Sequence, residues 1–306
     1  MKTLLITSLS LFLAIPLSYA QPADATRPKV AVVLSGGAAK GIAHIGVLKV
    51  LEEAGIQPDI ITGTSMGSII GGMYALGYRA DTLEKLILAL DWSEVLSDEI
   101  PLEKVNFEEK PYFKNHLLEL TFQNGHIQAP TGLIYGQQVE LLLSRLALPA
   151  YTIEKFEDYP IPFQCVAADI AEGEPVILDE GYLPTALRSS MSIPTMFTPI
   201  AKDSLLLIDG GLIRNFPVEE AVDMGADIVI GVYTGWKQAE LEDLGDLSNI
   251  MLQSAFLLSL KDAEAQTPYI DAETTIAPPF AQAYQDKPEL VRPPNIVLHL
   301  VPSAAP

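Results

Sequence analysis

From residue 29 onward the chain alternates short aliphatic runs with stretches whose apolar positions recur every three or four residues. Residues 30–34 (Val-Ala-Val-Val-Leu) form an unbroken aliphatic run, the pattern of a strand covered on both faces. A turn of small residues follows, Ser35-Gly36-Gly37-Ala38-Ala39-Lys40-Gly41, and the period of residues 42–54 predicts a helix stopped by Gly55. The unit then repeats, with a second strand predicted at 59–62 and a second helix at 66–76, ended by Gly77. Asp81 predicts the cap of a third helix running to about residue 90. Two strand–turn–helix units so close together imply βαβ architecture: an α/β fold with a mainly parallel sheet flanked by helices.

The middle of the chain is less regular. Residues 117–122 and 127–129 flank Gln123-Asn124-Gly125-His126, where Asn-Gly suits a hairpin turn. Residues 137–146 read as a helix, and 163–168, 175–178, 205–208 and 227–232 as strands, with a helix at 217–224 between the last two. Past Trp236 the pattern changes: residues 247–263 fit one amphipathic helix. Eight prolines among residues 268–306 then leave room for little regular structure beyond a strand at 296–301. This divides the chain into a domain at 28–235 and a C-terminal part at 236–306, a helical segment with a Pro-rich tail. The first twenty residues belong to neither. Lys2, an apolar run at 4–17 and small residues at Ser18 and Ala20 have the layout of a secretory signal peptide over 1–20, which implies export to the periplasm or the medium.

Composition narrows the functional classes. With 49% hydrophobic and 19% charged residues, the 306-residue chain can bury a sizeable core. Acidic residues outnumber basic ones 39 to 19, a formal charge of −20. Such a surface repels phosphate backbones, which argues against nucleic acid as a partner, and no polybasic segment would hold it on an anionic membrane. Contact with a lipid surface would have to be transient and apolar; the segment around Tyr112, Phe113, Leu117 and Leu118 is one candidate. The single cysteine, Cys165, excludes an internal disulfide and a cysteine-based metal site.

Three turns carry the chemistry. In Gly63-Thr64-Ser65-Met66-Gly67 the glycines permit a tight strand-to-helix turn that lifts the Ser65 hydroxyl into the open beside a helix N-terminus. The same residues also fit a plain serine cap with glycines for close packing. The turn from Ser35 to Gly41 presents several N–H groups in one patch, able to hold a phosphate or the oxyanion of an acyl transfer. A P-loop would need Ser or Thr after Lys40, where Gly41 stands, so the oxyanion reading is preferred. Asp209-Gly210-Gly211 places an acid at the C-terminal end of what reads as a parallel strand, the edge where α/β folds build sites, although Asp-Gly is also ordinary turn chemistry. Among other candidates, His44 reads as a structural histidine on a helix, and His116 and His126 as exposed residues flanking the hairpin. His299 follows Ser65 and Asp209 in the order of a hydrolase triad but sits inside a strand pattern, and Asp169 ends another predicted strand.

Taken together, the three turns resemble the patatin-like phospholipase family, in its bacterial exported branch, over about residues 28–232. Ala43-His44-Ile45-Gly46-Val47-Leu48, Gly132-Leu133-Ile134-Tyr135-Gly136-Gln137, Arg188-Ser189-Ser190-Met191-Ser192-Ile193-Pro194 and Asn215-Phe216-Pro217-Val218 extend the resemblance. It implies a three-layer sandwich and a lipid acyl hydrolase of the phospholipase A, lysophospholipase or esterase type, using a Ser-Asp dyad without cofactor or metal. Carried over, Ser65 would be the nucleophile between elbow glycines Gly63 and Gly67, and Asp209 the base in its motif with Gly210 and Gly211. The loop of Gly36, Gly37, Ala38, Lys40 and Gly41 would supply the oxyanion hole. Ala38 stands where the family usually has a third glycine, and a positive φ there would be costly. Lys40 keeps the family's positive charge. An acyltransferase with the same dyad, or a non-catalytic exported binding module on the same fold, is the alternative; loss of Ser65 or Asp209 would mark the latter, and both are present.

Overall fold

The structure, a computed structural model, describes residues 27–97, 106–108, 110, 121–123, 126–128, 131–235, 245, 247–266 and 297–302. The signal segment, the Tyr112–Leu118 region with His116, the Asn124-Gly125 turn and most of the Pro-rich tail lie outside these residues.

In chain order the elements are β1 (Val30–Leu34), α1 (His44–Glu53), β2 (Ile60–Thr64), α2 (Met66–Ala75), α3 (Ala80–Ala89), α4 (Trp92–Val95), β3 (Thr121–Gln123), β4 (His126–Gln128) and β5 (Gly132–Ile134). They continue with α5 (Gln137–Leu146), β6 (Phe163–Asp169), β7 (Glu174–Leu178), α6 (Leu183–Ser190), β8 (Thr195–Phe197), β9 (Ile200–Lys202) and β10 (Leu205–Asp209). The last are α7 (Val218–Asp223), β11 (Ile228–Tyr233), α8 (Leu247–Gln266) and β12 (Val297–Pro302).

The aliphatic runs occupy the middle of the sheet. β11, β1, β2 and β6 lie side by side and parallel, with Val33 opposite Gly231 on one side and Thr62 on the other. Alternate residues of β1 feed two cores. Val32 and Leu34 pack with α1, α2, α3, α5 and α6 on one face. Ala31 and Val33 pack with Phe216, Val218 and Ala221 around α7 on the other. Helices therefore cover both faces, the expected three layers, and each buried Val, Leu or Ile contributes about 1.5–3 kcal/mol. β12 pairs antiparallel with β11 at one margin, and α8 packs against the turn at Gly210–Leu212.

Several local expectations are corrected. The helix expected from residue 42 begins at His44, because residues 38–43 continue the small-residue turn as a 3-10 helix. Asp81 lies inside the first turn of α3 rather than capping it, and pairs instead with Lys49 at 3.0 Å. Most consequentially, β10 is not a parallel strand: it runs antiparallel to β6, pairing Asp209 with Ala167 and Leu207 with Asp169.

That reversal builds the site. β7 pairs with residues 165–169 of β6, β2 with residues 163–166, and β10 with residues 167–169. A strand has two hydrogen-bonding edges, so β2 and β10 must share the edge opposite β7. They meet head-on there: β2 ends at Thr64 opposite Val166, and β10, coming the other way, ends at Asp209 opposite Ala167.

Candidate active site

The head-on meeting brings the residue after β2 against the last residue of β10. The Ser65 hydroxyl donates to Asp209 Oδ2 at 2.7 Å. Ser65 takes φ 52° and ψ −123°, a conformation that serine avoids, yet the residue is buried at 5% exposure rather than standing in the open as the motif led one to expect. The elbow closes only because its glycines lack side chains. A Cβ on Gly63 would collide with the Gly67 carbonyl, and one on Gly67 with the carbonyls of Leu34 and Ser35. The strained residue is held at both backbone ends: its N–H donates to Ser190 Oγ at 2.9 Å, and its carbonyl accepts from Ser68 N and Oγ and from Ile69 N.

Asp209 is buried, and desolvation pushes its carboxyl up from 3.8 to about 6 against the opposing donation of the Ser65 hydroxyl and the Gly211 N–H. The Gly211 amide reaches Oδ1 at 2.7 Å, so each carboxylate oxygen has a donor. Gly210 and Gly211 are required by space: a Cβ on Gly210 would strike the Val166 carbonyl, and one on Gly211 the side chains of Asn215 and Asp209. At neutral pH the pair is a hydroxyl donating to an ionised, buried carboxylate.

The small-residue turn lies alongside. A Cβ on Gly36 would fall 3.1 Å from the Ser65 Cβ, which shows how closely this loop approaches. Its members divide by role. The Gly36 N–H is already used, donating to the Asn215 carbonyl at 3.2 Å, while Asn215 Nδ2 donates back to the Gly36 carbonyl at 3.4 Å. Gly37 and Ala38 stand at the start of the 3-10 helix, where N–H groups have no acceptor within the helix. Ala38 has φ 48°, so the alanine does adopt the left-handed backbone that a glycine would take freely. The Lys40 ammonium donates to the Gly235 carbonyl at 3.0 Å, tying the loop to the end of β11. Gly41 makes room for Met66, whose side chain a Cβ would overlap.

The remaining candidates are placed elsewhere. His44 is fully buried, donates from Nε2 to the Ser35 carbonyl at 2.7 Å, and is pushed down to about 4 by burial, so it is a neutral structural residue bracing the loop. His299 pairs with Gly231 in β12, which puts it three strand spacings, about 14 Å, from the edge shared by β2 and β10. His126 lies in β4. Asp169 is buried at the end of β6, where Oδ1 accepts from the amides of Ala171 and Leu206, the task of a turn residue. Cys165 is buried mid-strand, with its thiol pushed up by burial. Among the described residues no group of three His, Cys, Asp or Glu could hold a metal ion.

Supporting residues whose roles the motifs did not reveal come from α6 and the turn after it. Ser190 carries the Ser65 amide, the Ser192 carbonyl accepts the Asp209 N–H at 2.9 Å, and the buried Arg188 donates to Ser192 Oγ at 2.6 Å and to the Tyr135 carbonyl at 3.0 Å. Their only trace in the sequence was the signature Arg188-Ser189-Ser190-Met191-Ser192.

The family profile of patatin-like phospholipases matches residues 32–222. The chain belongs to that family. Within it, 206 residues are 32% identical to lysophospholipase nte1 of Aspergillus fumigatus, covering 67% of this chain and 12% of that protein. Likewise 220 residues are 33% identical to human patatin-like phospholipase domain-containing protein 6, covering 71% of this chain and 14% of that one. The chain thus spans about one eighth of the length of these curated relatives. Among solved structures, VipD from Legionella pneumophila aligns over 83% of this chain and 58% of its own, at 18% identity and a TM-score of 0.43. The patatin-like match takes in Ser65, Asp209 and the loop from Gly36 to Gly41, and ends before α8 and β12.

Proposed function

We propose that this patatin-like domain is a lipid acyl hydrolase that cleaves carboxylic esters through Ser65 and Asp209, with lysophospholipids and phospholipids as the substrate class. The observation that carries the reading is the 2.7 Å bond from the Ser65 hydroxyl to Asp209 Oδ2 on a strained, glycine-packed elbow. The names of the lysophospholipase relatives support the choice of substrate.

Serine is a weak nucleophile until a base removes its proton. Asp209 takes the Ser65 proton as Oγ attacks the acyl carbonyl, and the C–O double bond becomes an oxyanion. The Gly37 and Ala38 amides receive that charge; in related chemistry one such donor accounts for roughly 2.7–4 kcal/mol of barrier. Collapse breaks the ester bond, the protonated Asp209 gives its proton to the leaving alkoxide, and an acyl ester remains on Ser65. Water, deprotonated by the same carboxylate, then releases the fatty acid and restores the hydroxyl. The export signal read in residues 1–20 would place this reaction outside the cytoplasm.

The test is hydrolysis of lysophospholipid, phospholipid and short aryl esters by the purified protein, alongside labelling with a fluorophosphonate. Release of fatty acid and labelling at Ser65, both lost in Ser65→Ala, is the expected result. Labelling or hydrolysis that survives Ser65→Ala overturns the assignment.

A further inference from the structure

Helix α8 lies beyond the residues that carry the family resemblance, yet it reaches the candidate site. It packs against the turn at Gly210–Leu212, the turn whose Gly211 amide donates to Asp209 Oδ1, and it buries Phe256 and Ser259. Near its C-terminal end, Asp262 Oδ1 sits 3.0 Å from Arg214 Nε, an ion pair by distance whose angle does not make it a hydrogen bond. Arg214 is mostly buried, and its NH1 also contacts Glu219 at 2.8 Å and Glu220 at 2.7 Å on α7. One guanidinium therefore clamps α7 and α8 to the segment that leaves Asp209.

That segment touches every part of the site. The Arg214 carbonyl accepts from Thr64 Oγ1 at 3.0 Å, immediately before Ser65. The next residue, Asn215, holds Gly36 from both sides. The Arg214 N–H donates to the Gly210 carbonyl at 2.8 Å, which closes the turn over the Asp209 carboxylate. Moving Arg214 would therefore loosen the acid, the elbow and the glycine loop together.

We infer that α8 is a working part of the site and that Asp262, acting through Arg214, is a positioning residue for the Asp209 carboxylate. Its kinetic consequence rests on the hydrolase reading above; its structural consequence does not. Among the described residues, Asp262 supplies one of three carboxylates around Arg214. Without it the guanidinium follows the two α7 acids and the turn relaxes away from α8. The Gly211 amide then donates less well to Oδ1. Losing that donation favours the protonated carboxyl, whereas water admitted by the loosened turn favours the ionised one, so a displaced Asp209 midpoint in either direction reports the link.

Two readouts on the full chain separate the possibilities: carbon-13 NMR titration of the Asp209 carboxyl, which needs no activity, and steady-state kinetics on a soluble aryl ester. Asp262→Asn is expected to move the Asp209 midpoint by about half a pH unit or more. It should lower kcat by about tenfold, with KM held within about twofold. Asp262→Glu, which keeps the charge, should recover most of both. Leu258→Ser, on the exposed side of α8, should change neither. Arg214→Lys is the second variant, should Asp262→Asn fold poorly, and moves the midpoint in the same direction. An unmoved Asp209 titration in folded Asp262→Asn or Arg214→Lys overturns the inference. A midpoint that moves in a chain hydrolysing no ester supports the link and overturns the hydrolase reading instead.

Discussion

The Ser65 amide ends on the Ser190 hydroxyl at 2.9 Å, and that hydroxyl donates in turn to the Val166 carbonyl at 2.6 Å. Val166 is the strand partner of Thr64 at the point where β2 stops. Ser190 thus bridges the end of β2 to β6 where direct pairing gives out, and holds Ser65 in a backbone conformation it would otherwise leave. The relay also consumes the Ser65 N–H, which leaves the proposed oxyanion hole to the glycine loop.

Ser190→Ala removes the acceptor and leaves a buried N–H without a partner. Such a loss costs about 1–3 kcal/mol. The expected outcome is a lower melting temperature and a kcat reduced by about tenfold, since a displaced elbow misaligns Ser65 against both Asp209 and the ester. Thermal denaturation and the rate of fluorophosphonate labelling check this; an unchanged labelling rate would show that the elbow holds itself.

Ala38 pays a conformational cost at φ 48°. A non-glycine residue there is strained by about 1–2 kcal/mol, while glycine adds about 0.4–1 kcal/mol of unfolded-state entropy. Ala38→Gly is therefore expected to raise stability by a few tenths to about 1 kcal/mol. Turnover should be retained, because the amide donor is unchanged. A chemical-denaturation midpoint that falls would mean that the methyl group makes contacts worth more than the strain.

Asp209→Asn separates catalysis from stability. The carboxyl is held at about 6 in the folded chain against 3.8 ordinarily, with burial as the cause. Between those values the unfolded chain has released a proton that the folded chain keeps, so stability falls as pH rises from about 4 to about 6 and stays lowered above. The displacement corresponds to about 3 kcal/mol. Removing the charge should raise the melting temperature at pH 8, give no gain at pH 4, and abolish turnover. In the unsubstituted protein, turnover should climb through pH 6 as the base ionises. Melting curves at the two pH values and a pH–rate profile are the measurements.

What could be read from the sequence followed from local chemistry. Val30 to Leu34, the turn after it and the Gly63–Gly67 elbow declare themselves because aliphatic runs and glycines act over a few residues. The direction of β10 did not, since Leu205 to Asp209 has the same pattern whichever way it runs. The strands β5, β8 and β9 are three residues each, too short to show a period. α6 carries Pro184 near its start and polar Arg188, Ser189 and Ser190 in its buried half, so its pattern hides a helix that faces the core. The hydrogen bond from Ser65 to Ser190 and the ion pair of Asp262 with Arg214 join residues far apart in the chain, and polar pairing at that distance leaves no local signal.

So acidic a protein would meet a lipid surface against its own charge. A formal charge of −20 repels an anionic bilayer, and at 0.15 M salt exposed charges act over only about 8 Å. Proposed contact with lipid must then rest on apolar groups; Leu133, Tyr135 and Met196 are exposed on and beside the β5–β8 pair, in the same region as Ser192, whose carbonyl holds the Asp209 amide. At about 10 mM salt, hydrolysis of zwitterionic vesicles is expected to exceed that of matched anionic vesicles, and the gap should close as salt is raised to about 500 mM. Calcium should leave the rate on a soluble aryl ester unchanged, because Asp209 and backbone amides do the proposed chemistry. It should raise the rate on anionic vesicles by neutralising their surface. Initial rates across the salt series, with and without chelator, make the measurement. Faster hydrolysis of anionic vesicles at low salt, declining as salt is added, would mean that a local basic surface outweighs the net charge.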